Sequence, residues 1–290
     1  MNEQVCKADM GGDGAAVVDT CGYPVETTGN TVLDTLERRS STRAFARDDN
    51  DRPVAVTDEQ RAAILHAASR APSAGAMMMY SIISIREQAT LDRLADLCDH
   101  QPMIAKAPWA LIFVVDYAKW IDLFEHVGCF EPEFVERTGK SPRRAPGLGD
   151  FAIAAQDAVI AAQNAVVAAE ALGLGSCYIG DIVENAEEVA ELLDLPPYTM
   201  PLSMLIIGTP RKERPAIAHP VVNLVHEEHY RRADTATMDE QVAEMDAMFR
   251  PHAREVGERV VDIYTRKHTS PFMAEMSRSM EWWFKNWLGK

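Results

Sequence analysis

Asp150-Phe-Ala-Ile-Ala-Ala-Gln-Asp-Ala-Val-Ile-Ala-Ala-Gln-Asn-Ala-Val-Val-Ala-Ala-Glu-Ala-Leu172, followed directly by Gly173-Leu-Gly-Ser-Cys-Tyr-Ile-Gly180, decides the fold. Ten of the 23 residues from Asp150 to Leu172 are alanine. Alanine is the best helix former, and Gly173 stands where a left-handed cap closes a helix. The spacing predicts one long helix over 150–172. Its small side chains let neighbouring elements approach closely, so the helix is expected to be central and packed on several sides. Gln156, Asp157, Gln163, Asn164 and Glu170 interrupt it. It is therefore not read as a membrane span. Gly175 to Gly180 reads as a short strand.

Elsewhere the pattern alternates. A helix is expected from Thr31 to Arg38 with Val32, Leu33 and Leu36 turned inward. Thr57-Asp-Glu-Gln60 is a capping box that opens a second helix carrying Ile64, Leu65 and Ala68, stopped before Pro72. Tyr80–Ile85 reads as a strand and Leu91–Cys98 as a short helix. Trp109–Val115 is a near-continuous apolar run, as in a strand buried on both faces. Residues 130–149, with Pro132, Pro142, Pro146 and Arg143-Arg144, read as a loop or lid. Asn185-Ala-Glu-Glu188 is expected to cap a further helix. Leu202–Ile207 is the last clear strand. Beyond Asp234 the pattern is helical, with breaks at Pro251 and Pro271. Strands alternating with helices predict an α+β or α/β sheet flanked by helices. Residues 1–30 are Gly- and Asp-rich and read as a tail or surface strap.

The charge narrows the partners. There are 29 Lys plus Arg against 44 Asp plus Glu, a net of −15. That field repels polyanions, so no nucleic-acid partner is expected. An anionic ligand must instead be held by a local basic patch. The five cysteines, Cys6, Cys21, Cys98, Cys129 and Cys177, are scattered and form no C-x-x-C pair. A reduced cytoplasm fits them better than a disulfide framework or a zinc site. The N-terminus, with Glu3, Asp9 and Asp13 and no apolar core, does not read as a signal peptide. His226-Glu-Glu-His229 is not H-E-x-x-H, and no metal site is expected.

The strongest local signal is Arg38-Arg39-Ser40-Ser41-Thr42-Arg43-Ala44-Phe45. Arginines with interleaved hydroxyls can cradle a phosphate, because guanidinium groups bind it bidentately and hydroxyls fill the remaining positions. The bland alternative is a solvated basic turn after a helix. Ala71-Pro-Ser-Ala-Gly-Ala76 is a small-residue turn that lets backbone approach a flat ligand, and Met77-Met-Met-Tyr80 follows it; taken alone, the segment favours an ordinary loop with core methionines. Gly173-Leu-Gly175 begins a G-x-G, but Tyr178 breaks the dinucleotide fingerprint. Cys177 reads as a small buried hydrophobe. Ser277–Trp287 is an aromatic helix suited to core or subunit packing, or to binding a partner.

In order along the chain, these segments resemble the nitroreductase family of flavin oxidoreductases. The resemblance is carried by Arg39-Ser-Ser-Thr-Arg-Ala-Phe45, Ala71-Pro-Ser-Ala-Gly75, Gln101 before Ala107-Pro108, Ala162–Ser176 and Leu205-Ile-Ile-Gly208. It covers about residues 31–230. It implies an α+β fold: a mixed, mainly antiparallel sheet wrapped by helices, with the long helix at a homodimer interface. It implies three regions: a tail or strap at 1–30, an FMN-binding domain at 31–230 and a helical extension at 231–290 that packs on the domain or the partner.

It also implies an NAD(P)H-dependent FMN enzyme. Electrons would pass by a ping-pong mechanism to a small-molecule acceptor such as a nitroaromatic or quinone, with the flavin and no protein acid or base carrying the chemistry. Arg39, Ser40, Ser41 and Arg43 would hold the FMN phosphate and ribityl chain. Pro72, Ser73, Ala74 and Gly75 would reach the flavin from the partner chain, and Gln101 would bond its polar edge. Ile179 and Gly180 would lie beside its reactive edge. The chain departs from the family at Ala76, where Asn is common, and at Met78-Met79-Tyr80. Lys212 and Arg214, and less so Arg211, are candidates for a later basic contact to the phosphate. Reductive dehalogenation, flavin breakdown or non-catalytic flavin binding are the alternatives the same resemblance allows.

Overall fold

The computed structural model describes residues 17–18, 24–25, 31–141, 143–212, 222–249 and 255–289. In chain order the elements are β1 (Val17–Val18), β2 (Pro24–Val25), α1 (Thr31–Arg38), α2 (Asp58–Ser69), β3 (Tyr80–Ile85), α3 (Gln88–Leu97), α4 (Pro102–Ala105), β4 (Trp109–Asp116), α5 (Ala118–His126), α6 (Pro132–Thr138), α7 (Leu148–Ala171), β5 (Gly175–Ile179), α8 (Ala186–Leu192), β6 (Thr199–Gly208), α9 (Thr235–Phe249), α10 (Glu258–Ile263) and α11 (Pro271–Trp287). They form two compact units. One comprises Met1–Arg39 and Pro215–Met273, the other Ser40–Arg214 and Ala274–Lys290.

The second unit is built on a sheet of order β3-β4-β6-β5, each neighbouring pair antiparallel. A parallel bridge from Ser41 to Ser176 adds to its β5 edge, so the architecture is mixed but mainly antiparallel. All eight residues of β4 are buried, as its unbroken apolar run predicts. Alternation assigns its side chains to two layers. Trp109, Leu111 and Phe113 pack with Ile64 and Ala68 of α2 and with Ala158, Ala161 and Ala165 of α7. Ala110, Ile112 and Val114 pack with Leu91 and Leu94 of α3, Ile179 of β5 and Trp283 of α11. Each fully buried large apolar side chain in these layers contributes about 1.5–3 kcal/mol.

The central helix forms as its composition predicts. Asp150 accepts the Gly147 N–H at 2.8 Å at its start, and Gly173 takes φ +74° past its end. By length and composition α7 could cross a membrane. Here it packs against α2 and the sheet, and Asn164 donates to the Ala67 carbonyl of α2 at 3.1 Å. The Thr57 capping box is present in both directions. Trp283 and Trp287 are fully buried. Their indole N–H groups donate to the Val183 carbonyl at 2.9 Å and the Gly147 carbonyl at 3.0 Å. Of the roles open to the aromatic terminal helix, these two rings take core packing within their own unit.

Several expectations are corrected. Val32, Leu33 and Leu36 are 55%, 50% and 44% exposed rather than turned inward; only Thr35 of α1 is buried. Residues 130–149 are not one loop. Pro132 at the first turn starts α6 and Gly139, at φ +63°, ends it, the asymmetry that suits proline and glycine to opposite helix ends. Asn185 does not cap α8 with its side chain. Its amide instead donates to the Leu97 carbonyl at 2.7 Å, tying α8 to α3. Most of the 1–30 strap, Pro142, Arg214 and Pro251 lie outside the described residues.

Candidate functional site

The arginine segment is positioned by backbone pairing. The Thr42 N–H donates to the Ser176 carbonyl at 2.8 Å, and Ala46 N–H donates to the Thr209 carbonyl at 2.8 Å. Phe45 bridges to Pro210. The segment thus lies along the end of the β5–β6 pair where Gly175 faces Gly208. Both glycines are needed there. A Cβ on Gly208 would stand 2.7 Å from Pro108 Cγ and 2.8 Å from Phe45 Cδ1, and one on Gly175 would stand 2.7 Å from Thr42 Cβ. The second glycine of the G-x-G therefore serves close chain packing, not a dinucleotide turn.

Thr42 and Phe45 point into the protein, and Arg43 between them is exposed. Ser40 and Ser41 are half-buried. Among the described residues, neither the Arg43 nor the Arg39 side chain pairs with a carboxylate. Arg39 falls in the first unit and Arg43 in the second. A third basic residue joins Arg43: the Arg211 N–H donates to the Ala44 carbonyl at 3.0 Å. Of the three later candidates, Arg211 is therefore tied to the segment.

At the other end of β5, Ile179 is buried and Gly180 is exposed. A Cβ on Gly180 would meet nothing within 4 Å, so the backbone here is open to a flat ligand. Gln101 reaches the same place, donating from Nε2 to Asp181 Oδ2 at 2.6 Å. An ionised carboxylate only accepts hydrogen bonds. The bond to Asp181 therefore engages the Gln101 amide N–H and not its carbonyl oxygen. Nearby Cys98 is fully buried. Burial, then the Asp181 and Glu184 carboxylates, push its thiol far above the ordinary range, which removes it as a nucleophile.

The turn at Pro72–Ala76 stands on a different support. Pro72, Ala74 and Gly75 are exposed and Ser73 is half-buried. The Ala74 N–H donates to Asp157 of α7 at 2.9 Å, and the Trp120 indole donates to the Met77 carbonyl at 2.9 Å. The structure therefore brings Ser41, Arg43, Gln101, Ile179 and Gly180 to the two ends of one strand, and places Pro72–Gly75 on α7. Sequence reading took Thr42 for one of the cradle's hydroxyls, whereas it is buried, and it missed Asp181 and Asp157. Of these two only Asp157 left a trace, as a charge inside an alanine-rich helix.

An antiparallel sheet wrapped by helices, with a basic segment seated on its edge strand, defines an α+β protein with an anion cradle beside an open backbone site. Residues 36–209 match the model of the nitroreductase family. The FMN reductase (NAD(P)H) of Bacillus subtilis is 33% identical over 74% of this chain and 82% of its own length. The oxygen-insensitive NADPH nitroreductase of Salmonella typhimurium is 34% identical over 65% of this chain and 74% of its own. The solved NADPH:FMN oxidoreductase from Vibrio harveyi, complexed with NAD+, superposes with a TM-score of 0.65 at 26% identity, covering 86% of this chain and 97% of that one. The chain belongs to the nitroreductase family.

Proposed function

We propose that this chain is an FMN-dependent oxidoreductase that takes electrons from NAD(P)H and passes them to a nitroaromatic, quinone or related acceptor in a ping-pong cycle. One observation carries the reading: the 2.8 Å bond from Thr42 N–H to the Ser176 carbonyl. It seats Arg43 beside β5, the strand that ends at Ile179 just before Gly180. From Ser176 to Ile179 along that strand is about 10 Å, a length that suits a ribityl phosphate. The names of the Bacillus, Salmonella and Vibrio relatives point to the same chemistry.

FMN, when bound, supplies the hydride and electron transfer. The chain's residues bind and orient it. Arg43 with Ser40 and Ser41 holds the phosphate and ribityl chain, and Arg211 is placed to assist. On the resemblance alone, Arg39 joins them. Gln101, oriented by Asp181, offers its carbonyl oxygen to the ring's polar edge. Gly180 keeps side chains away from the reactive edge, and the Ile179–Gly180 backbone lies alongside it. Oriented backbone N–H groups beside the ring favour the negative charge that reduction brings. No side-chain acid or base is assigned to the reaction.

Pro72, Ser73, Ala74 and Gly75 reach the flavin from a second copy, so the working unit is a homodimer. Ile153, Val159 and Ile160 of α7 are 44%, 48% and 39% exposed and offer the apolar surface for it. The enzyme works in the cytoplasm, where Cys98, Cys129 and Cys177 stay reduced.

The test is direct. The purified protein should be yellow, release FMN and not FAD on extraction, and bleach without oxygen on adding NADPH or NADH. Initial-rate plots against the acceptor should be parallel. Light scattering should report a dimer. A colourless protein, or a yellow one that neither nucleotide bleaches, removes the assignment; a yellow, active monomer removes the shared site.

A further inference from the structure

Asp157 is 2% exposed, and ordinary helix composition gives no reason for a buried carboxylate. Its two oxygens account for it. Oδ1 accepts the Ala74 N–H at 2.9 Å and Oδ2 the Met79 N–H at 3.3 Å. Between these two anchors the backbone is left-handed at Gly75, Ala76 and Met78, with φ of +57°, +55° and +48°. Glycine tolerates that region, whereas a Cβ makes it costly. Two of the three residues carry one. Other loop groups are tied as well: the Ala76 N–H donates to the Ser73 carbonyl at 3.2 Å and the Met77 N–H to the Ala74 carbonyl at 3.0 Å, Ser73 Oγ accepts the Met78 N–H at 3.2 Å, Trp120 holds the Met77 carbonyl and the Asp116 N–H holds the Met79 carbonyl at 3.0 Å.

We propose that Asp157 is a positioning residue: its carboxylate clamps both ends of the 74–79 loop and holds its strained conformation ready for FMN. The inference rests on the reading that residues 72–75 face the flavin. A carboxylate suits the task because both oxygens accept, while an amide offers one acceptor and one donor. In Asp157→Asn one of the two loop N–H groups must face a donor or lose its partner. Without the clamp, Ala76 and Met78 relax away from left-handed geometry, and FMN must re-order the loop as it binds.

The experiment uses the full-length chain. Hydrogen exchange at Ala74 and Met79 and FMN titration are measured for the wild type, Asp157→Asn, Asp157→Asn with Ala76→Gly, and Ala76→Val. Asp157→Asn should exchange at least tenfold faster at one or both of these amides, with the rest of α7 unchanged, and bind FMN about tenfold more weakly. Ala76→Gly should restore much of the affinity, because glycine needs no clamp to sit at that φ. A merely structural role for Asp157 would show no such rescue. Ala76→Val, at an exposed position with Asp157 intact, should also loosen the loop and weaken FMN. It decides the matter if Asp157→Asn does not fold.

Unchanged exchange at Ala74 and Met79, absence of rescue, or an Ala76→Val protein indistinguishable from wild type overturns the clamp. Faster exchange with unchanged FMN affinity overturns the loop's role at the flavin. A wild type that binds no FMN overturns the site itself, before any variant is compared.

Discussion

Gly175 of β5 lies so tightly against Thr42 that a Cβ on the glycine would stand 2.7 Å from the threonine Cβ and 3.0 Å from Pro210 Cγ. This contact joins the arginine segment to the sheet. It turns a flexible basic stretch into a fixed one, with Thr42 buried and Arg43 exposed.

Gly175→Ala should therefore push residues 41–46 off the strand. Overpacking of this kind costs about 1–3 kcal/mol, and FMN affinity should fall with it. Gly180→Ala is the contrast, since its added methyl meets no atom within 4 Å. It should leave the thermal midpoint in place yet weaken FMN binding or slow bleaching by NAD(P)H. Thermal melts with FMN titrations separate the two. A Gly180→Ala protein normal in both would move the flavin away from that strand end.

Arg43→Ala should weaken FMN without unfolding the chain. A hydrogen bond to a charged group contributes about 1.5–3 kcal/mol, so the loss is about 10- to 150-fold in affinity. Arg43→Lys should recover part of it, because a point charge replaces a two-pronged donor. Reduction at saturating FMN should survive. Titration with circular dichroism checks this; unchanged affinity in a folded variant would leave the segment a solvated turn.

Trp283→Ala should be among the costliest changes, at about 3–5 kcal/mol. The ring is fully buried among Ile112, Ile206 and Ile179, and its N–H satisfies the Val183 carbonyl. Urea unfolding measures it. A loss under about 1 kcal/mol would mean that the C-terminal helix is only lightly docked.

Acid should loosen the same helix. Arg278 forms a two-pronged pair with Glu187 of α8 at 2.8 and 2.9 Å and also bonds Glu275 at 2.9 Å. Arg278, with Ser279 and the Asn185 N–H, holds Glu275 down at about 2 against an ordinary 4.5, burial opposing. A depressed carboxylate stabilises the fold above its unfolded pKa and loses that contribution as pH falls through the folded value. The loss should run from about pH 4.5 to about 2. Glu275 is one-third exposed, so solvent screening limits the effect to about 1 kcal/mol or less. The stability gap between wild type and Glu275→Gln, measured by urea at stepped pH, should shrink across that window. A gap that stays constant would remove Glu275 as its source.

Part of the candidate site is legible in the sequence, where the signal is local. The cluster at 39–43 stands out against a net charge of −15, and Gly180 ends a short apolar run. The supports are not. Gln101 and Asp181 are 80 residues apart, and Ala74 and Asp157 are 83 apart. No periodicity links such pairs, because a hydrogen bond across the fold leaves no spacing in the chain.

The sequence by itself determined β3 to β6, α2 and α7 of the sheet unit, though not α5 or α6. Thr57 and Gln60, the run at Trp109 and Gly173 act through neighbours only a few residues away, and the backbone answers to them directly. Packing decided the rest. Gln156 and Asp157 are adjacent interruptions of one apolar helix and look alike in the chain. Only the rotation of α7 against α2 and the sheet turns Asp157 inward, to the N–H groups of the 74–79 loop, and leaves Gln156 exposed. The same holds for α1: its apolar stripe is plain in the sequence, yet Val32, Leu33 and Leu36 stay exposed, because periodicity defines a face but burial needs a surface to cover it.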